Sequence, residues 1–98
     1  MKINALLMDA ADNVVTCVQD VKAGEVVAYR CGEETRTVTA GADIPYCHKI
    51  ALQDLPAGAD VYKYGESIGR LSAAVAVGGL VNHENLFSVE RDYASEMV

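Results

Sequence analysis

"QDVKAGEVV" (residues 19–27) returns as "QDLPAGADV" (residues 53–61) and more faintly as "AAVAVGGLV" (residues 73–81). Each copy has an apolar residue, two variable positions, a glycine, two more variable positions and a valine. The glycines are Gly24, Gly58 and Gly78. Glycine takes positive φ without steric cost, so the chain can reverse sharply between two short apolar segments. Pro56 suits an early position of such a turn, because its ring presets φ. Asp20 and Asp54, each four residues before its glycine, are placed to accept hydrogen bonds from free backbone amides of the turn. The spacing is too short for a helical repeat and predicts strand–turn–strand corners.

The rest of the chain agrees with a mainly β fold. "NVVTCV", "EVVAYR", "TRTVTA" and "DVYKY" are rich in Val, Thr and Tyr and are bounded by Gly, Asp or Asn. "TRTVTA" alternates polar and apolar residues, as a half-exposed strand does. Gly65 and Gly69 flank "ESI" and predict a bulge or corner where two backbone segments approach closely. "MKINALLMDAADN" reads as a first strand rather than a signal peptide, since acidic residues follow its brief apolar run. At the other end, Val89, Tyr93 and Met97 are spaced by four. That spacing fits a short C-terminal helix, and equally a tail or a partner-docking segment.

Ninety-eight residues set the expectation of one domain, residues 1–98, with a modest core. The apolar run "LSAAVAVGGLV" is too short to span a bilayer. A net charge of −6, with eight basic residues scattered among fourteen acids, argues against nucleic acid and against an anionic membrane surface. It leaves room for a small anionic substrate, because one local lysine or histidine outweighs a distant negative surface. The three cysteines, Cys17, Cys31 and Cys47, form no CxxC and read as small apolar thiols of a cytoplasmic protein.

The residues able to carry chemistry are few. His48 and His83 both fall at expected corners, where a β scaffold presents side chains. Imidazole can bind a divalent metal or move a proton, or each ring can simply cap a turn. Cys47 directly precedes His48, so on an extended strand the two would face opposite ways and not share a metal. Glu84 is a candidate ligand or base, and Lys49 and Lys63 are candidate carboxylate binders, with plain solvation as the alternative for each. Tyr62 and Tyr64 alternate with Lys63 and predict a packed tyrosine pair on one strand face. "YGESIG" lacks the GxGxxG spacing of a phosphate loop, and no GxSxG nucleophile motif occurs.

"HKIALQDLPAGADVYKYGESIGR" (residues 48–70) followed by "VGGLVNHENL" (residues 77–86) resembles the SAF-type domain of the altronate and galactarate dehydratases, the UxaA-like hydro-lyases. The first part of that family's pattern falls on His48, Lys49, Ala51, Asp54 and Gly58. The second falls on Lys63, Tyr64, Gly65, Ile68 and Gly69. The likeness is close from Asp43 to Leu86, and over the first forty residues it holds in outline through "QDVKAGEVV". Two departures stand out. The family's ending often has histidines where this chain has Asn82 and Glu84, with His83 between them. Strand neighbours face opposite ways, so Asn82 and Glu84 are expected to face the site. Cys47 stands where a glycine is common, which narrows the approach to His48.

The resemblance implies a β-clip (SAF-like) fold and a part in a lyase. Some members carry the domain fused to a long catalytic region. Others, such as the alpha subunit of sulfolactate sulfo-lyase, carry it as a separate small chain, and this chain looks like the second arrangement. The expectation is then a small subunit of a two-component dehydratase acting on a sugar acid such as altronate or galactarate, inactive alone. Its partner would be a large UxaA-type catalytic subunit. His48 would be the catalytic residue, with Lys49, Asn82 and Glu84 binding substrate. A divalent metal, iron, would be held mainly by the partner, with none expected in the isolated chain. SAF-like folds also serve carbohydrate recognition and antifreeze activity, so a non-catalytic binding or assembly module is the competing expectation.

Overall fold

A computed structural model describes residues 2–87, all strand and turn; the helix expected in residues 88–98 lies outside the described residues. The strands run β1 (Ala5–Leu6), β2 (Val14–Cys17), β3 (Val26–Cys31), β4 (Glu34–Thr39), β5 (Lys49–Ala51), β6 (Asp60–Lys63), β7 (Glu66–Leu71), β8 (Leu80–Val81) and β9 (Leu86–Phe87). They form an antiparallel central sheet in the order β1-β2-β5-β8, a β3–β4 hairpin, and a three-stranded β6-β7-β9 sheet. Successive side chains on a strand face opposite ways, and the central sheet uses both faces. Val15, Cys17 and Ile50 pack with Val27, Tyr29 and Val38 of the hairpin. Val14, Ala51 and Val81 pack with Val61 and Leu71 of the other sheet.

Four corners of one design join these layers, at residues 18–27, 41–50, 52–61 and 72–81. In each, the fourth turn residue donates its N–H to the carbonyl of the first: Glu25 to Lys22 (3.0 Å), His48 to Pro45 (3.0 Å), Ala59 to Pro56 (3.1 Å) and Gly79 to Ala76 (2.8 Å). The third turn residue has positive φ: Gly24 +89°, Cys47 +68°, Gly58 +83° and Gly78 +84°. Its N–H donates to the carbonyl of Ala40, Cys17, Leu71 or Ala51, respectively. Each of those residues returns its own N–H to the carbonyl of the fourth turn residue. Pro56 is the first residue of its turn, ahead of the position where its φ would be most directly used.

Three of these corners are the three sequence copies; the fourth, Pro45–His48, is hidden because a cysteine occupies its left-handed position. The corners pair off in two halves of the chain. Val21 and Ile44 exchange N–H···O bonds of 2.8 and 2.7 Å, and Leu55 and Val75 exchange bonds of 2.8 Å. Each half is therefore corner, hairpin, corner, closed on itself around its own core cluster. The aspartates act across the pair and not within their own turns. Asp20 accepts from the Tyr46 N–H (2.8 Å), Asp43 from Ala23 (3.0 Å) and Asp54 from Val77 (2.9 Å). The fourth equivalent position is Ala74, so Ala57 faces no carboxylate.

The stretch around "ESI" is a hairpin with a bulge, as expected. Tyr64 (φ +59°) and Gly65 (φ +75°) form its two-residue turn, the conformation a tight hairpin requires. Ile68 is the extra residue, since Tyr62 pairs with Ser67 and Val61 with Gly69. A Cβ on Gly69 would strike the Phe87 carbonyl oxygen, which is the close backbone approach the sequence signals. The expected tyrosine pair is not there. Tyr64 lies in the turn and not on the strand, so alternation does not apply to it, and both tyrosines are exposed.

Two stability measurements follow. Ala74→Asp restores the missing bond to the Ala57 amide and is expected to raise unfolding free energy by about 0.5–1.5 kcal/mol in urea melts. Gly24 has open space around its missing Cβ, whereas a Cβ on Gly78 would overlap the Thr39 carbonyl oxygen. Gly24→Ala is expected to cost about 1–2 kcal/mol from the positive φ alone, and Gly78→Ala about 3 kcal/mol or more.

Candidate functional site

The hidden corner carries the residues of interest. His48 ends its turn, half-buried, with Nδ1 3.1 Å from the Tyr46 carbonyl oxygen. A carbonyl can only accept, so Nδ1 holds the hydrogen and Nε2 is left as the proton-accepting nitrogen of the neutral ring. The His48 carbonyl accepts from Cys17 at 2.9 Å, so His48 extends the β5 ladder by one residue. Lys49 pairs with Thr16 on one side and Val81 on the other. The β5–β8 pairing ends at Lys49–Val81, and Asn82 begins the turn beyond it.

This register divides the expected site residues. Ile50 and Leu80 face the first core cluster, and by alternation His48, which extends the β5 ladder, shares their side of the sheet. Lys49 and Val81 face the other way. The structure thus puts His48 on one side of the strand end and Lys49 on the reverse side with Thr16, while Asn82 begins the turn that follows β8.

Residues 82–85 form a turn, not the strand that the alternation argument assumed. The turn satisfies itself: the Asn82 N–H donates to Asn85 Oδ1 (2.9 Å) and the Glu84 N–H to Asn82 Oδ1 (3.0 Å). Asn85 Nδ2 donates to the Leu80 carbonyl (2.7 Å), and the Leu86 N–H to the Asn82 carbonyl (2.8 Å). The Asn82 oxygen is therefore already engaged, leaving its Nδ2 hydrogens for a ligand. His83 and Glu84 are both exposed on the turn.

Asp12 and Asn13, missed by the sequence reading, anchor the neighbouring hairpin. The buried Asp12 carboxylate accepts from the amides of Asp9 (3.0 Å), Tyr64 (3.0 Å) and Gly65 (2.8 Å). Asn13 Oδ1 accepts from Tyr62 (2.8 Å), and its Nδ2 donates to the Asp60 carbonyl (3.0 Å). "ADN" ahead of a valine run was the available signal, because short polar side chains often bond nearby backbone. Their partners here are some fifty positions away, which local pattern does not reveal.

The electrostatics single out Lys49. Burial lowers its pKa from the ordinary lysine value, and the positive charge of Lys63 lowers it further. Burial also pushes the Cys17 thiol up to about 11, so that cysteine is an inert core residue. Among the described residues no three of His, Cys, Asp and Glu cluster closely enough to hold a metal ion.

Comparison with known proteins agrees with this architecture. Residues 3–89 match the altronate/galactarate dehydratase SAF domain, and the chain belongs to that family. It is 38% identical over 85 residues to altronate dehydratase of Escherichia coli (strain K12), covering 87% of this chain and 15% of that protein. It is 50% identical over 48 residues to (2R)-sulfolactate sulfo-lyase subunit alpha of Paracoccus pantotrophus, covering 49% of this chain and 72% of the relative. With the subunit alpha of Chromohalobacter salexigens it shares 33% identity over 89 residues, 88% of this chain and 95% of the relative. The domain is thus one associated with lyases and dehydratases, and it spans about 15% of the dehydratase but most of either subunit alpha.

The strained state of Lys49 is measurable. Its proton is held less tightly in the folded chain than in the unfolded one, so the unfolded state binds more protons and stability rises with pH just below the ordinary value of 10.5. Lys49→Met is expected to abolish that rise and to increase the thermal midpoint by a few degrees at neutral pH.

Proposed function

We propose that this chain is the small subunit of a two-component hydro-lyase acting on a sugar acid such as altronate or galactarate. It works with a separate large UxaA-type catalytic subunit in the cytoplasm. The observation that carries this reading is His48 at a corner tip, its Nδ1 tied to a backbone carbonyl and its Nε2 turned away from that bond. The near end-to-end match to one sulfolactate sulfo-lyase subunit alpha, 95% of that relative, supports the subunit arrangement.

Elimination from a β-hydroxy acid removes the proton next to a carboxylate and expels the hydroxyl, which leaves as water once protonated. With Nδ1–H held by the Tyr46 carbonyl, the imidazolium form of His48 carries a second hydrogen on Nε2 and donates it at the subunit interface. Asn82 Nδ2 donates to a substrate hydroxyl, Glu84 borders the site, and Lys49 binds carboxylate from the reverse side of the strand end. The carbanion-forming base, and any divalent metal such as iron, belong to the large subunit.

The test is reconstitution with the large subunit and an assay on altronate, galactarate and sulfolactate. His48→Ala is expected to lower kcat about 10²–10⁴-fold while the complex still assembles. Full turnover by the His48→Ala complex would overturn the catalytic role. Full turnover by the large subunit alone would identify the chain as a carbohydrate-binding or assembly module instead.

A further inference from the structure

Thr16 Oγ1 is a buried hydroxyl with no hydrogen-bond partner among the described residues. An unsatisfied buried hydroxyl is costly and calls for an explanation. It lies on β2 directly opposite Lys49 of β5, and residues so paired have Cβ atoms about 4.5–5.5 Å apart. The hydroxyl therefore stands beside the lysine stem.

Lys63 approaches from the other layer. Val14, Ala51 and Val61 all belong to the second core cluster. Thr16, Lys49 and Lys63 are each two positions along the same strands, so each faces the side of its own core residue. Three strands thus aim one hydroxyl and two ammonium stems at the border of a single core. The Lys63 Nζ lies 5.3 Å from the centroid of the Tyr64 ring. Tyr64 in turn is fixed by its N–H bond to buried Asp12.

Neither lysine has a carboxylate partner among the described residues, where the ion pairs are Arg36–Glu34 and Arg70–Asp60. Both are half-buried, and the charge of Lys63 is felt at Lys49. In a chain with fourteen acids and eight bases, two partly desolvated ammonium groups that feel each other's charge, with no counter-ion among the described residues, are an arrangement that an external anion would relieve.

We propose that Thr16, Lys49 and Lys63 form a subsite for the carboxylate of a small hydroxy acid, on the opposite side of the central sheet from His48. The hydroxyl donates one hydrogen bond to a carboxylate oxygen, and the two ammonium groups supply charge-assisted bonds. A small acid suits the setting, because two lysines in a chain of net charge −6 offer nothing to a long polyanion. The subsite extends the substrate-binding role proposed for Lys49, yet it is tested without turnover.

The experiment is a ¹H–¹⁵N NMR titration of the full chain at low ionic strength, with galactarate as ligand and uncharged galactitol as control. Galactarate is expected to give saturable shifts at Thr16, Lys49 and Lys63 that weaken with added salt, and galactitol none. Lys63→Gln and the isosteric Thr16→Val are each expected to weaken galactarate binding roughly three- to tenfold. Lys63→Gln should also raise the titration midpoint of Lys49, since a repelling charge is removed. Equal shifts with galactarate and galactitol, or an affinity unchanged by both substitutions, overturn the subsite. So does a result in which the substitutions weaken only assembly with the large subunit, which assigns these three residues to an acidic side chain of that protein. Loss of turnover in the reconstituted complex bears on the proposed function and leaves these shifts unaffected.

Discussion

The left-handed third residue of each corner is the constraint on which the fold depends. It turns that residue's N–H toward a strand-end carbonyl belonging to a different segment, and the same strand end returns its own N–H. A corner is thus a closure between distant parts of the chain as well as a local bend. Short strands such as β1, β8 and β9, with two residues each, have little cooperative strength of their own. Reciprocal backbone bonds at the corners, with buried Val21, Ile44, Leu55 and Val75 beneath them, hold them in register.

Two cores follow from this closure. The central sheet sends alternate residues of β2 and β5 into separate clusters, each capped by its own corner pair. With both faces covered, polar side chains with unspent bonding capacity are pushed to the ends of the strands. His48 emerges on one side of the β5 end, and Thr16 and Lys49 on the other. The candidate site is a rim at the end of the strands.

Much of the fold was legible in the residues. Stretches rich in Val, Thr and Tyr became β2, β3, β4 and β6, and Gly65 and Gly69 marked a true hairpin turn and bulge. The fourth corner was not legible, because Cys47 tolerates a positive φ that sequence logic reserves for glycine. Alternation failed at Tyr64 and at Asn82–Glu84 for one shared reason. The chain leaves the strand one residue before Tyr64 and three residues before Glu84, and the periodicity of two ends with the strand. His48 and Lys49 were found as candidates, while Thr16 gave no local sign, since a threonine in a strand is ordinary until its hydroxyl is seen to be buried alone.

The amino-acid order by itself determined the β character, three of the corners and the family, because positive φ at glycine and β-branched patterning are local properties of the chain. Tertiary structure alone decided which corners face each other, which carboxylate meets which amide, and that His48 and Lys49, neighbours in the chain, serve opposite sides of the sheet. Those outcomes depend on strand register and on partners twenty to fifty positions away. Register is fixed by the packing of two cores at once, which no short window of residues contains.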